Sequence, residues 1–545
     1  GRRGSSPPTK ARLKIHRAPG PTLPVPNRTT TAAPPLAGAP RPRRRRRRRE
    51  MSMSSASSYG SAEPGLTVPE RTKSVVLDHT APYLAEFVGT FVLVLTVGCL
   101  QLSPGSPTWN ATAVGFVLMA MIYATGPISG GNLNPAVSFS LGLIGNLRWV
   151  VVVRYWVVQI SAGLFASLVL RTLYAPHTTK IGPVTPFTWE YAVTAEVIYT
   201  FMLCFVFNNC AASKRNNPRD DPNQFYALAI GFVSIAGGYA VGNVSGAALN
   251  PAIAIGLSVS DGFRWGLGWP TAELLGAVLA AILFRAVRPE EYNPPEGGFG
   301  IDYEPRLHVR CASEFLGAFI VVLTIGLNVT MASPATGFAS AASAMCMIYS
   351  LANVSGAHFN PAVTLAVVLS GRDKLSPGDG AAYMFCQFGG GALAGMVYAR
   401  FHAAGPNAGL TFTLKSGAGY GPNAAGVVEL FFTFFLAYAV LACATTSSLP
   451  GRRTRQSFYK ALVMGACVAA GGISAGRISG GAMNPAVSVG VTAANVAHNG
   501  WSEAPPPYAT CACFTLWQLT GGLLAAVVFS LTHPDEYKKA PLLAK

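Results

Sequence analysis

The stretch SGGNLNPAVSFSLG (Ser129–Gly142) decides the fold of this chain. Close copies recur as SGAALNPAIAIG from Ser245, SGAHFNPAVTLA from Ser355 and SGGAMNPAVSVG from Ser479. Each copy places Asn-Pro-Ala inside strongly apolar surroundings. Asn is a favoured N-cap and Pro favours the first helical turn, so each copy predicts a helix that begins at its Pro.

The predicted helices are about half as long as a membrane span, which needs about 20 residues. In the first copy the apolar run ends at Gly145 and Asn146. A half-helix at membrane depth is tolerated where its end lines a water-filled cavity. Two such helices from inverted halves would direct their positive ends and Asn amides into one lumen. There they would orient passing water, interrupt its proton-conducting chain and repel cations.

The composition excludes an ordinary soluble protein. Half of the 545 residues are hydrophobic and only 12% are charged, against about 25% in soluble domains. Apolar stretches long enough to cross a bilayer predict an all-α integral membrane protein. The twelve predicted spans lie near 82–102, 111–126, 149–171, 190–211, 224–241, 266–287, 310–331, 336–352, 379–400, 424–446, 457–475 and 508–531.

The chain is a tandem duplication of one module with six spans. Asn360 follows Asn134 by 226 residues, and Asn484 follows Asn250 by 234 residues, so the offset barely changes. Each module also has two similar halves, which open with AEFVGTF and AEVIYTF in the first module. Three spans per half is an odd number, so the second half enters the membrane inverted.

The tandem pattern predicts five segments. They are a disordered, basic and Pro-rich tail at 1–79, a first module at 80–289, a linker at 290–307, a second module at 308–537 and a C-terminal tail at 538–545. Much of the net charge of +18 lies in the N-terminal tail, so it does not indicate a specific nucleic-acid partner. The run Arg43–Arg49 leaves anionic lipid or nucleic-acid binding open as alternatives to a solvated tail. Met51 is a plausible start, so residues 1–50 are a candidate for non-native sequence.

Loop charge predicts the orientation. Basic residues follow the fourth span of each module, and the loop at 103–110 has none, so both termini are expected in the cytoplasm. The membrane itself is not identified. The basic loop residues are Lys214, Arg215, Arg219, Arg452, Arg453, Arg455 and Lys460.

The chain resembles the aquaporins of the major intrinsic protein family, duplicated in tandem. The resemblance covers about residues 80–290 and 308–535, and it extends to Gln159 and Gln387 in the third spans. It implies two bundles, each of six transmembrane helices and two re-entrant half-helices with one pore. Because family members assemble four bundles, it implies a homodimer of this chain. The motif residues carried over are Asn134, Pro135, Ala136, Asn250, Pro251, Ala252, Asn360, Pro361, Ala362, Asn484, Pro485 and Ala486.

Four buried glutamates need partners, because an unpaired charge in a membrane is costly. We expect Glu86, Glu196, Glu314 and Glu429 to accept hydrogen bonds from backbone N–H groups of the re-entrant loops. A proton-relay role is the alternative. His358, beside the third motif, is expected to brace its loop rather than to gate the pore.

The resemblance also assigns a selectivity filter, and here the chain departs from the family. Members usually carry Arg directly after the second motif of a module, where this chain has Ile253 and Val487. The full set of implied filter residues is Val114, Gly238, Ala247 and Ile253 in the first module and Ser340, Gly472, Gly481 and Val487 in the second. All are small or aliphatic, which predicts a wider ring with weaker exclusion of cations and protons.

Some neighbouring residues leave the filter assignment open. An error of one helical turn would bring Phe116 or Phe338 into the ring, and Tyr239 could lean toward it. Arg477 could reach back as a substitute charge, although an outer vestibule position is the expectation.

The predicted function is a passive channel for water and small neutral solutes, with glycerol or urea plausible. The chain is not expected to be an enzyme, because no nucleophile–base pair or metal-ligand cluster is spaced for catalysis, and no cofactor is implied. A coupled secondary transporter is one alternative, for which Glu273 is the single additional titratable candidate. A non-conducting structural membrane protein is the other. The expected partners are the lipid bilayer, the permeating solutes and a second copy of the chain.

Overall fold

The computed structural model describes residues 70–537, apart from 104–106, 219–220, 295–302, 409–413, 447–456 and 502–506, and describes side chains from residue 79 onward. Residues 1–69 of the predicted N-terminal tail, with Arg43–Arg49, lie outside this part of the chain. The C-terminal tail at 538–545, much of the linker and four loop arginines also lie outside it. These arginines are Arg219, Arg452, Arg453 and Arg455.

Within the described residues, each module contains eight α-helices in the same order. The first module has α1 (Glu70–Leu102), α2 (Asn110–Ser129), α3 (Pro135–Leu143), α4 (Trp149–Tyr174), α5 (Trp189–Phe207), α6 (Tyr226–Ser245), α7 (Pro251–Ser258) and α8 (Gly268–Val287). The second has α9 (Leu307–Thr330), α10 (Thr336–Ser355), α11 (Pro361–Leu369), α12 (Pro377–Ala404), α13 (Pro422–Ala444), α14 (Phe458–Ala475), α15 (Pro485–Asn499) and α16 (Pro507–Thr532).

Eleven of the described helices are long and apolar enough to cross a membrane. This finding confirms the prediction of an all-α, multi-pass membrane protein. The remaining long helix, α12, occupies the place of α4 but is less apolar, because it is rich in Gly and contains Asp379 and Arg400. Helix α1 begins at Glu70, ahead of the predicted module boundary at residue 80. Charged residues before Pro82 interrupt the apolar pattern without ending the helix.

The four motif helices begin at Pro, as the sequence predicts. In each, the preceding Asn is extended and its side chain accepts a hydrogen bond from the backbone N–H of the motif Ala. Helices α3, α7 and α11 have 9, 8 and 9 residues. Helix α15 has 15 residues and is therefore longer than the predicted half-helix, because its apolar pattern continues to Asn499 without a Gly stop.

Close backbone contacts hold the motif helices against the long helices. A methyl group on Gly391 of α12 would lie 2.3 Å from the carbonyl oxygen of Ala486 in α15. Gly163 of α4 approaches the carbonyl oxygen of Ala252 in the same way, at 2.4 Å. Small residues at helix crossings allow this separation in membranes, where packing rather than the hydrophobic effect drives helix association.

The two modules pack against each other within one compact unit. Helices α5, α6 and α8 of the first module contact α9 and α10 of the second. Phe225 stacks on Tyr349 with ring centroids 4.5 Å apart. The fully buried Arg288 donates to the side-chain oxygen of Asn209 and to the backbone oxygen of Ser350, each at 2.8 Å. These hydrogen bonds satisfy a buried charge across the contact between modules.

We predict that Gly391→Ala lowers the thermal stability of the chain, because the added methyl group overlaps backbone of α15 and overpacking costs about 1–3 kcal/mol. Gly378→Ala is the matched control in the same helix, since a methyl group there meets nothing within 4 Å. The measurement is the melting temperature of each purified variant in detergent. Equal melting temperatures for the two variants would contradict the close contact.

Candidate pore sites

The two motif loops of the first module are joined by their asparagines. The Nδ2 atom of Asn134 donates to the backbone oxygen of Leu249 at 2.9 Å, and that of Asn250 donates to the backbone oxygen of Leu133 at 2.9 Å. Each side-chain oxygen caps its own helix, at 2.8 and 2.9 Å from the backbone nitrogen of the motif Ala. The loops therefore meet end to end, with both helix N-termini at the contact.

The second module repeats this arrangement. Asn360 donates to the backbone oxygen of Met483 at 2.9 Å, and Asn484 donates to that of Phe359 at 3.0 Å. In all four loops the residue before the Asn is in the left-handed region, with φ near 50°, although it has a side chain. This conformation is uncommon for such residues and persists only where the surroundings hold it. These residues are Leu133, Leu249, Phe359 and Met483.

Buried glutamates hold the loops in this conformation. Glu86 accepts hydrogen bonds from the backbone N–H groups of Asn132 and Leu133 at 2.9 and 2.7 Å, and from the hydroxyl of Ser129 at 2.6 Å. Equivalent contacts surround the other three glutamates, each of which is fully buried. Their backbone donors are Ala248 and Leu249 for Glu196, His358 and Phe359 for Glu314, and Ala482 and Met483 for Glu429.

Sequence reasoning missed the serine that opens each copy of the motif stretch. Its hydroxyl donates to the glutamate at 2.5–2.6 Å in every half-module. The recurrence of Ser-Gly at the start of all four copies was the available signal. The four serines are Ser129, Ser245, Ser355 and Ser479.

Glutamines complete three of the four sites. In each case a glutamine Nε2 atom donates to the second carboxylate oxygen at 2.8 Å. The pairs are Gln159 with Glu86, Gln387 with Glu314 and Gln518 with Glu429. The sequence resemblance identified the first two glutamines but not Gln518.

The fourth site has Glu273 in place of the glutamine. Its Oε1 atom accepts from the backbone N–H of Asn250 at 2.8 Å, and its Oε2 atom has no hydrogen-bond partner among the described residues. Glu273 and Glu196 are both fully buried and accept from consecutive backbone N–H groups. Adjacent buried carboxylates repel each other unless one carries a proton. We therefore expect Glu273 to hold a proton and to act as the donor that glutamine supplies elsewhere.

The eight implied filter residues all line one of two cavities. The cavity of the first module has a volume of about 460 Å³ and includes Asn134 and Asn250 in its wall. The cavity of the second has a volume of about 1240 Å³ and includes Asn360 and Asn484. The implied filter residues in their walls are Val114, Gly238, Ala247 and Ile253 in the first and Ser340, Gly472, Gly481 and Val487 in the second.

The aromatic alternatives are separated from the filter. Phe116 is 47% exposed and does not belong to either wall, and Phe338 packs edge-on against Phe232 at the contact between modules. Tyr239 does line the first cavity, where its hydroxyl donates to the backbone oxygen of Thr108 at 2.7 Å.

Two charged or titratable candidates lie in the wall of the second cavity. Arg477 is exposed there, just after α14 ends. The Nδ1 atom of His358 lies 3.1 Å from the hydroxyl of Thr364, and its backbone N–H donates to Glu314. These contacts tie His358 to its own loop and half-helix.

We predict that Glu273→Gln leaves the melting temperature unchanged or raises it, because it restores the uncharged donor found in the other three sites. The reciprocal variant Gln518→Glu, its matched control, should lower the melting temperature, since a buried polar group without its partner costs about 1–3 kcal/mol. Thermal unfolding of both purified variants checks the pair. A loss of stability in Glu273→Gln as large as that in Gln518→Glu would contradict the shared-proton arrangement.

Comparison with known proteins agrees with this geometry. The family model described as major intrinsic protein matches residues 73–238, 191–336 and 308–529. The chain is 31% identical over 191 residues to the probable aquaporin NIP4-2 of Arabidopsis thaliana, covering 34% of this chain and 65% of that relative. It is 30% identical over 246 residues to aquaporin NIP2-2 of Zea mays, covering 43% and 80%.

A solved structure gives a further comparison. The aquaglyceroporin from Plasmodium falciparum matches with 18% identity and a TM-score of 0.34, covering 39% of this chain and 99% of that one. The family matches extend over both predicted modules and so confirm the predicted resemblance and duplication. The chain belongs to the major intrinsic protein family, whose conserved motif it carries in two tandem copies.

Proposed function

We propose that this chain is a passive transmembrane channel for water and small neutral solutes, with pores built between paired Asn-Pro-Ala loops. The observation that carries the proposal is the reciprocal hydrogen bonding of the motif asparagines at the wall of each cavity. Its family is one of channels rather than enzymes, in agreement with the function expected from the sequence.

The asparagines explain how water is oriented. Each amide nitrogen has two hydrogens, and one of them is used by the carbonyl of the facing loop. The second hydrogen of each asparagine is available to the lumen. Two such donors, one from each loop, engage both lone pairs of a passing water molecule and prevent it from accepting a proton-conducting bond from its neighbours. The N-terminal ends of two helices at the same level disfavour cations.

The filter residues favour a broad range of neutral solutes. In both modules the ring lacks Arg and aromatic side chains, so it offers little steric or charge selection. Glycerol and urea fit such a ring. Weaker exclusion of cations and protons is expected for the same reason, because exclusion then rests on the asparagines and helix ends alone.

The proposed topology has twelve spans. Helix α12 is the twelfth because it has the length of a span and packs beside α9 and α15. Helices α3, α7, α11 and α15 are re-entrant, and the basic residues Lys214, Arg215 and Lys460 place the termini in the cytoplasm. The proposed domain limits remain those expected from the repeat, with the first helix extended to Glu70.

Unequal burial of equivalent helices supports a homodimer. About two thirds or more of the apolar windows of α5, α6, α9 and α10 are buried, at 67%, 67%, 72% and 72%. Their equivalents α13, α14, α1 and α2 are buried by only 39%, 33%, 39% and 33%. A second copy would cover these four helices with the same contact that already joins the modules, and would complete a ring of four bundles.

The alternatives receive less support. A coupled transporter needs titratable groups along its pathway, but none of the buried glutamates of the described loops belongs to either cavity wall. The same observation disfavours a proton relay through Glu86, Glu196, Glu314 or Glu429. A purely structural role does not account for a motif that meets its partner in both modules.

We predict that the double variant Ile253→Phe/Val487→Phe loses glycerol permeability by at least about tenfold while it retains much of its water permeability, because a ring added to the filter excludes the larger solute first. The measurement is stopped-flow light scattering of proteoliposomes under glycerol and sucrose gradients. The wild-type chain at equal protein density is the control. Wild-type glycerol flux at the level of bare lipid would contradict the wide filter.

We predict that the purified full chain has the mass of two 57.0 kDa chains in mild detergent. Native mass spectrometry tests this, because it separates the protein from bound detergent. Disruption is expected from charged residues placed on the exposed faces of α2 and α14, such as Phe116→Glu and Leu462→Glu, which are 47% and 38% exposed. A monomeric wild-type chain would contradict the proposed assembly.

A further inference from the structure

The two modules differ in how far their cavities extend. The second cavity continues on both sides of the motif asparagines, from Arg477 at one end to Ala444 and Lys460 at the other. The first cavity runs from Lys180 and Asn243 to the asparagines and ends at the layer of Phe207 and Ile230. The half of the first module nearest the predicted cytoplasmic side therefore lacks the continuation seen in the second.

Larger side chains account for this difference. The repeat aligns Phe207 with Val440, so a phenyl ring stands where the second module has two methyl groups. It also aligns Leu141 with Val367, and only Val367 belongs to a cavity wall. Phe207 is 2% exposed and so fills the space it occupies.

Polar contacts fix the position of Phe207. Directly after it, α5 passes into a π-helical turn at Asn208–Ala212, whereas α13 continues as an α-helix to Ala444. The side chain of Asn208 donates to the hydroxyl of Ser140 in α3 at 2.8 Å. The second module has Leu441 and Ala366 at these positions and cannot form this bond.

The following loop adds a second set of contacts. Glu291 accepts hydrogen bonds from the hydroxyl of Ser213 at 2.5 Å and from the backbone N–H groups of Lys214 and Arg215 at 3.1 and 3.2 Å. The neighbouring Asn209 accepts from the buried Arg288. These bonds hold the end of α5 and its loop against the module contact, so little movement is available for Phe207 to leave the lumen.

We propose that the modules have different roles: the second conducts, and the first is closed at Phe207 and serves as its packing partner. The inference rests on the proposed channel function. Apolar constrictions of this kind exclude water by dewetting. Each chain then contributes one open pore, and a homodimer contributes two rather than four.

Matched variants at one identical position test the division of roles. Val137 and Val363 occupy equivalent sites, one in each cavity wall. Val363→Phe should reduce the water permeability of proteoliposomes nearly to that of bare lipid, and Val137→Phe should leave it close to wild type. Equal losses of about half in both variants would overturn the proposal, because two open pores contribute equally. Wild-type permeability at the level of bare lipid would instead contradict the channel function itself.

A gain of function guards against misfolding. Phe207→Val should raise the permeability of the wild-type chain by up to about twofold, because it opens a second pore of similar length. In the Val363→Phe background the same change should restore flux that the closed second pore has lost. Absence of both gains, in variants with wild-type melting temperatures, would show that Phe207 does not close the first module.

Discussion

A buried carboxylate that accepts the backbone N–H groups of a re-entrant loop is the contact on which each half-module depends. In a membrane, irregular backbone is tolerated only where its polar groups are satisfied. Glu86 and its three equivalents satisfy two consecutive N–H groups each, and the left-handed residue before the motif Asn follows from that constraint. The Asn then caps its own helix and donates to the opposite loop, so four separate carboxylates position two pairs of asparagines.

Much of this could be predicted from the sequence, because the determinants recur. Four copies of one stretch at nearly constant offset indicate duplication and inversion, and Asn-Pro indicates where each short helix begins. The end of α15 and the start of α1 were less predictable. Periodicity of apolar residues reports burial rather than helix continuity, so charged turns before Pro82 and a missing stop after Asn484 left no clear signal.

The contacts that distinguish the modules were beyond sequence reasoning. Phe207 and Val440 are both apolar residues in a span, and only the assembled bundle shows that they face a lumen. Glu273 was visible as an additional acid, but its position beside Glu196, where the other halves have glutamine, required the fold. Duplication explains how such differences are tolerated, since one module can lose a continuous pore while the other keeps it.

The central claim is that paired asparagine loops in this chain form an open water pore. The most direct measurement is the osmotic shrinkage rate of proteoliposomes that contain the purified full chain, recorded by stopped-flow light scattering after a sucrose step. The account predicts a rate well above that of protein-free vesicles, with a weak temperature dependence typical of flow through a pore. A rate and temperature dependence equal to those of bare lipid would contradict it.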